Sequence, residues 1–386
     1  MKTVEEFKAH VASIQSRSEY ENPKAFALGV KRVKDGKVLD ALFPVINWET
    51  AFGTAAILYD VLGVVTGENR SYAVSKSQLN EIYEYFAPFV NDLDKHANVK
   101  VMSNLLSHYA SSTQYHTNEI VAYFLFDDQQ EVNDAVEGYF KLQCISQRHV
   151  LPHGLNLGGI FGKLNNVAWT NKGPVLPEDL ATETTKHYFG EPLVVSHVDK
   201  FPYLVNYHVP SGVRIASGSQ VRLGAYLGEG TTIMPAGYVN FNAGTKGNAM
   251  VEGRVSGGVV VDMNSDIGGG ASIMGTLSGG NKNVISIGKE CLLGANAGTG
   301  ISLGDGCTIA AGVYVTAGAK VFLYDREGAP VDGEGNKVLE GKNIVKAMEL
   351  NGRNNLLFIQ DSTNGRLVCK PNPKTIELNA ALHAND

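Results

Sequence analysis

Leu227-Gly228-Glu229-Gly230-Thr231-Thr232-Ile233-Met234-Pro235-Ala236-Gly237-Tyr238-Val239-Asn240-Phe241-Asn242-Ala243-Gly244-Thr245 places an aliphatic residue at every sixth position until Thr245 takes the slot. Followed outward, the same phase runs through Val209, Ile215 and Val221 before it and Val251 after it. It resumes at Val261, Ile267 and Ile273, again at Ile287 and Leu293, and last at Leu303, Ile309, Val315 and Val321. A period of six fits neither the 3.6 of a helix nor the alternation of a simple strand. It predicts a hexapeptide β-helix, in which a short strand carries one residue inward and a corner follows. Glycine, asparagine and alanine recur after the aliphatic slot, where corners need unusual φ or close backbone approach. The offsets at 251 to 261, 273 to 287 and 293 to 303 are read as insertions, and loops on a rigid scaffold are where function concentrates.

Composition frames this coil. The chain has 386 residues and a formal net charge of −6, and 25 of its 43 glycines lie between Val209 and Asp325, a segment with only 14 charged residues. Mild acidity argues against a nucleic-acid binder working through a broad basic field. No apolar run reaches the roughly 18 residues of a membrane span. Cys144, Cys291, Cys307 and Cys369 show no CxxC spacing, and the acidic start is unlike a signal peptide, so reduced thiols and a cytoplasmic location are expected.

The expected domains are a mainly helical region at 1–130, an α/β connecting region at 131–208, the coil at 209–325 and a C-terminal β extension at 326–386. Val4, Phe7, Val11 and Ile14 share a helical face, Ser75 with Gln78 has capping-box spacing, and Asp35-Gly36 reads as a hairpin turn.

The coil carries little chemistry. All ten histidines lie outside the segment from Val209 to Leu382. That removes a zinc site of coil histidines and a coil-histidine base, leaving only His149 or His153 to reach in. Among the carboxylates, Asp305 and Glu290 read as corner residues kept polar for solubility. Glu252 follows an inward position and stands two residues from Arg254, beside the first break in phase. On an extended segment the two would share a face, which leaves a surface ion pair and a catalytic pair both open.

Phe241-Asn242-Ala243-Gly244, Met250-Val251-Glu252-Gly253-Arg254, the run Gly268-Gly269-Gly270-Ala271-Ser272-Ile273-Met274-Gly275-Thr276-Leu277-Ser278-Gly279-Gly280, and Ile285-Ser286-Ile287-Gly288-Lys289 together closely resemble the tetrahydrodipicolinate N-succinyltransferases, in the branch with a large N-terminal domain. The likeness extends from about Tyr139, through Leu151-Pro152-His153-Gly154 and Trp169-Thr170-Asn171, to Leu382-His383-Ala384-Asn385. It implies a left-handed parallel β-helix, a homotrimer, and succinyl transfer from succinyl-CoA to the amine of tetrahydrodipicolinate in its opened 2-amino-6-oxopimelate form, within lysine and diaminopimelate biosynthesis. Succinyl-CoA is then a co-substrate, and no tightly bound cofactor is expected.

The resemblance makes Glu252 the catalytic residue, as general base or as a nucleophile forming an acyl anhydride. It assigns succinyl-CoA contacts to Arg254, Gly269, Ser272, Ala295, Gly318 and Lys346, and Arg222 is the candidate for the acceptor's carboxylates. Relatives in this branch hold magnesium on the trimer axis with an Asp and a Glu. The matching positions here are Ser219 and Ala236, so no metal is expected. The competing readings are a hexapeptide acyltransferase with a different amine acceptor and a non-catalytic trimeric scaffold.

Overall fold

The computed structural model describes residues 3–109, 111–181, 190, 192–277 and 283–373. The Ser278-Gly279-Gly280 end of the glycine run and the terminal Leu382 to Asn385 lie outside them. Two compact units emerge: residues 1–144 with 154–202, and residues 145–153 with 203–386.

In the first unit, α1 (Val4–Gln15) buries Phe7, Val11 and Ile14, the face its periodicity marks. Helix α2 spans Phe52–Leu62, α3 Lys76–Tyr85 and α4 Ala97–Ser107. The expected capping box starts α3: Ser75 Oγ accepts from the Gln78 N–H at 3.2 Å, and Gln78 Oε1 accepts from the Ser75 N–H at 3.0 Å. The helices pack around Phe26, Leu28, Ile120 and Phe124, which belong to a sheet. Its strands are β1 (Ala25–Lys34), β2 (Lys37–Leu42), β3 (Asn47–Trp48), β4 (Arg70–Ala73) and β5 (Thr117–Leu125), ordered β2-β1-β5-β4 with β3 also on β1. Asp35 and Gly36 join β1 to β2 with φ of 49° and 74°, the left-handed pair a two-residue hairpin demands. Beyond that hairpin the sheet was not evident in the sequence, because β1 opens on Ala25-Phe26-Ala27-Leu28, which is buried on both faces and does not alternate.

The second unit is a parallel coil of two-residue strands in three sheets. Ile215 pairs with Ile233, Ile233 with Val251, and Leu227 with Thr245, so a full turn takes 18 residues, three repeats of six. Val221, Leu227, Ile233, Val239, Val251, Val261, Ile267, Ile273, Leu293, Ile309 and Val315 are all completely buried in its axis. Each such burial stabilises the coil by about 1.5–3 kcal/mol. Thr245 is tolerated inside because its hydroxyl meets Thr231 Oγ1 at 2.7 Å. Val209 does not belong to this column: it is 72 % exposed, and the first inward strand is Arg214–Ile215.

The register revises two of the three phase breaks. Val239 pairs with Val255, Thr245 with Val261 and Val251 with Ile267, each 16 residues on. The ten-residue interval from Val251 to Val261 is therefore a step of four to Val255 followed by a step of six. It is a corner shortened by two residues, not an insertion. The interval from Leu293 to Leu303 behaves likewise, passing through Thr299, which pairs with Val315, before Leu303 bridges to Ile287. Only 273 to 287 is a true insertion, closed at its base by the Thr276–Val284 bridge.

Left-handed corner positions are filled by Gly224, Gly230, Gly258, Gly270, Gly306 and Gly312, by Asn242, Asn248, Asn264 and Asn296, and by Glu290. Glycine and asparagine visit that region at least cost. Beyond the coil, Leu356–Gln360 and Leu367–Pro371 pair antiparallel, and Phe358 extends the coil ladder from Ile309.

Candidate active site

Glu252 sits on the shortened corner between Met250–Val251 and Arg254–Val255. Its backbone is clamped by the next rung: its N–H donates to the Ile267 carbonyl at 2.8 Å, and its carbonyl accepts from the Gly270 N–H at 3.1 Å. Gly253 leaves no slack, since a Cβ there would come 2.4 Å from the Ala271 carbonyl oxygen. The Glu252 side chain lies against Gly269, where an added Cβ would touch Oε2 at 3.4 Å. Among the described residues its carboxylate has no hydrogen-bond or ion-pair partner.

Arg254 does not pair with Glu252. Its guanidinium donates to Ser272 Oγ at 2.6 Å, across the strand pairing of Arg254 with Ser272. The surface ion pair that the spacing left open is thus not formed, and the corner between the two residues is bent rather than extended.

The corner column continues below Glu252. The Asn296 N–H bonds the Gly269 carbonyl at 2.8 Å, and the Gly312 N–H bonds the Ala295 carbonyl at 2.9 Å. Glu252, Gly269 and Ala295 therefore follow one another on successive rungs, each about 4.8 Å apart. Beside that edge runs an outward column of Tyr238, Arg254, Ser272, Gly298 and Tyr314. In the sequence Gly298 stands out only as a residue beside a phase break, and Tyr314 only as the residue before inward Val315. Their place in one column with Arg254 and Ser272 shows once Val255 and Thr299 are counted as inward. The Tyr314 ring lies over Gly298, where an added Cβ would come 2.1 Å from it.

Gly318 and Lys346 meet at the end of the coil. The Ala347 N–H bonds the Ala319 carbonyl at 2.8 Å and the Met348 N–H bonds the Ala317 carbonyl at 3.0 Å, bracketing Gly318. Lys346 stands opposite Lys320 in an antiparallel pair, so two exposed ammonium groups flank the same point.

Arg222 is not brought to Glu252 within the chain. It hydrogen-bonds Asn240 Oδ1 at 3.2 Å, at the far corner of the sheet that carries Arg254. His153 does reach the coil, but its Nε2–H donates to the Gly258 carbonyl at 2.7 Å, which makes it a strut. Burial holds His149 below the ordinary imidazole value. Ser219 and Ala236 are exposed at corners above Glu252 and supply no carboxylate, so they do not fit the hard oxygen ligation that magnesium requires.

Family models described as tetrahydrodipicolinate N-succinyltransferase N-terminal and middle regions match residues 5–162 and 164–203, and one described as the hexapeptide repeat of succinyl-transferase matches 284–317. A 2,3,4,5-tetrahydropyridine-2,6-dicarboxylate N-succinyltransferase of Vibrio cholerae is 45% identical over 365 residues, covering 94% of this chain and 99% of that one. The chain belongs to the tetrahydrodipicolinate N-succinyltransferase family. A family member from Campylobacter jejuni is 41% identical, with 99% of both chains covered. A solved structure from Campylobacter jejuni, described as a 2,3,4,5-tetrahydropyridine-2-carboxylate N-succinyltransferase, superposes with a TM-score of 0.86 at 36% identity, covering 97% of this chain and 99% of that one. Family membership agrees with the geometry at the shortened corner, where the Glu252 carboxylate is left unpaired beside Gly269 among the described residues.

Proposed function

We propose that this chain transfers succinyl from succinyl-CoA to the amine of tetrahydrodipicolinate in its opened 2-amino-6-oxopimelate form, releasing CoA, with Glu252 as general base. The observation that carries this is the unpaired Glu252 carboxylate on a rigid corner, next to a glycine surface and one strand from the Arg254–Ser272 pair. The nucleophilic amine must lose a proton as it attacks the thioester carbonyl, and a positioned carboxylate that takes it contributes about 10²–10⁴-fold. The electron pair of the broken C–S bond leaves with the CoA sulfur, and the new bond is an amide.

Arg254, held by Ser272, offers a planar fork to the free carboxylate of the succinyl group. The thioester arm runs down the corner past Gly269 and Ala295, where small residues let an extended chain lie on the backbone. Its phosphates end near Gly318, between Lys320 and Lys346, so a few placed cations serve a polyanion on an acidic protein.

The coil is left-handed, and the active unit is a cytoplasmic homotrimer in which Arg222 of a neighbouring subunit meets the acceptor's carboxylates. No metal takes part, given Ser219 and Ala236. The reading is tested by following free thiol release from succinyl-CoA. Release that depends on tetrahydrodipicolinate supports it; release that is equal without the acceptor, or faster with acetyl-CoA, contradicts it.

A further inference from the structure

We infer that a cavity in the C-terminal extension binds an α-amino acid with a hydrocarbon side chain, taken up as a zwitterion. The cavity has a volume of about 440 Å³, within the roughly 300–1,000 Å³ typical of small-ligand sites. Leu323, Val331, Leu350 and Cys369, all buried, give it an apolar lining that half-buried Leu356 and Pro371 continue. Two turns make up part of its wall. Asp325 Oδ1 accepts from the Glu327 and Ala329 N–H groups at 2.9 and 2.8 Å, and Asp332 Oδ1 accepts from those of Glu334 and Asn336 at 3.0 and 2.9 Å. These two lining carboxylates are thus engaged by their own turns, and they fix the backbone that carries Glu334. Arg353 is tied to the second turn, its Nη1–H donating to the Gly333 carbonyl at 2.6 Å.

The charges left over for a ligand are of both signs. Lys370 and Glu334 line the cavity, and among the described residues their side chains have no hydrogen-bond or ion-pair partner. Arg353 lines it too, and the Gly333 carbonyl is the single hydrogen-bond acceptor of its guanidinium among the described residues. An anion with a hydrocarbon body would meet Lys370 and Arg353 but would also face Glu334. An amine of the same shape would meet Glu334 but would face two cations. A zwitterion answers both signs at once, its carboxylate toward Arg353 and Lys370 and its ammonium toward Glu334. The apolar lining then takes the hydrocarbon side chain out of water. No residue assigned to succinyl transfer lines this cavity.

The test is titration calorimetry of the full-length protein with L-phenylalanine, compared with 3-phenylpropionate, which lacks the ammonium, and phenethylamine, which lacks the carboxylate. Phenylalanine is expected to bind one per chain with a Kd of about 2 mM or tighter, and each comparison ligand at least about threefold more weakly. Lys370→Met should weaken phenylalanine and 3-phenylpropionate at least about threefold and leave phenethylamine unweakened. Glu334→Gln should do the reverse, weakening phenylalanine and phenethylamine by about the same factor and leaving 3-phenylpropionate unweakened. The two opposite patterns place the ligand's carboxylate and ammonium separately, which a general loss of structure would not do. The inference fails if phenylalanine does not saturate by about 20 mM, if either comparison ligand binds as tightly, or if either variant, with the parent's unfolding temperature, binds phenylalanine like the parent.

Discussion

Replacing Gly253 by alanine tests the shortened corner directly. Gly253 has no left-handed φ to preserve, so the effect is purely one of space. The new methyl would stand 2.4 Å from the Ala271 carbonyl oxygen and 2.9 Å from its carbon, backbone atoms that cannot rotate away. Relief requires the two rungs to part by at least about 0.6 Å, a forced shift of the kind that costs typically 1–3 kcal/mol. The Arg254 N–H to Ala271 carbonyl bond, 2.7 Å long, spans the same gap and is stretched or lost, adding about 0.5–1.5 kcal/mol. Together the substitution should destabilise the protein by roughly 2–4 kcal/mol. Because Glu252 precedes it, turnover should fall at least about tenfold in the fraction that remains folded. Urea unfolding and acceptor-dependent thiol release measure the two effects. Gly318→Ala is the control, since an added Cβ there meets nothing within 4 Å, and it should leave the unfolding midpoint unchanged. Parental stability and turnover in Gly253→Ala would show that the corner does not hold Glu252 as described.

Arg254→Lys keeps the charge but loses the fork and the Ser272 bond, and should raise KM for succinyl-CoA about tenfold with kcat changed much less; an unchanged KM would remove Arg254 from the site. Burial lowers the imidazole pKa of His116, with Arg32 adding to it, and of His149 and His208, with Arg148 and His149 adding at His208. The unfolded chain then binds more protons, so this stability is present above about pH 6.5 and is lost as pH falls through that value toward the lowered folded pKa values. The unfolding temperature should be lower at pH 5 than at pH 7.5, and equal or higher values at pH 5 would contradict the assignment. All four cysteines are buried, and burial pushes the Cys369 thiol up to about 12. An aromatic disulfide reagent should therefore label none in the native protein and four after unfolding.

The coil was legible because its inward slots repeat: Leu227, Ile233 and Val239 take the three walls of the prism in turn and mark it without reference to any partner. The shortened corner was not. Val255 follows Val251 by four, a spacing that also suits a helix, and only pairing with Val239 above and Ile273 below identifies it as inward. That miscount turned a deletion into an apparent insertion and hid the outward column holding Gly298 and Tyr314. Glu252 was legible as a residue beside a phase break, but its separation from Arg254 was not, since Ser272 is 18 residues away and is brought in by the coil pitch. The sheet of the N-terminal unit was obscured for a different reason: β1 and β5 are buried on both faces, so neither alternates.

The most direct test of Glu252 as the base is the Glu252→Gln variant, which keeps the shape of the side chain on its corner and removes its ability to take a proton. Turnover with saturating succinyl-CoA and tetrahydrodipicolinate should fall by at least about two orders of magnitude while CoA affinity stays within about twofold. Turnover within a few-fold of the parent, in a variant that binds CoA normally, would contradict the assignment of Glu252.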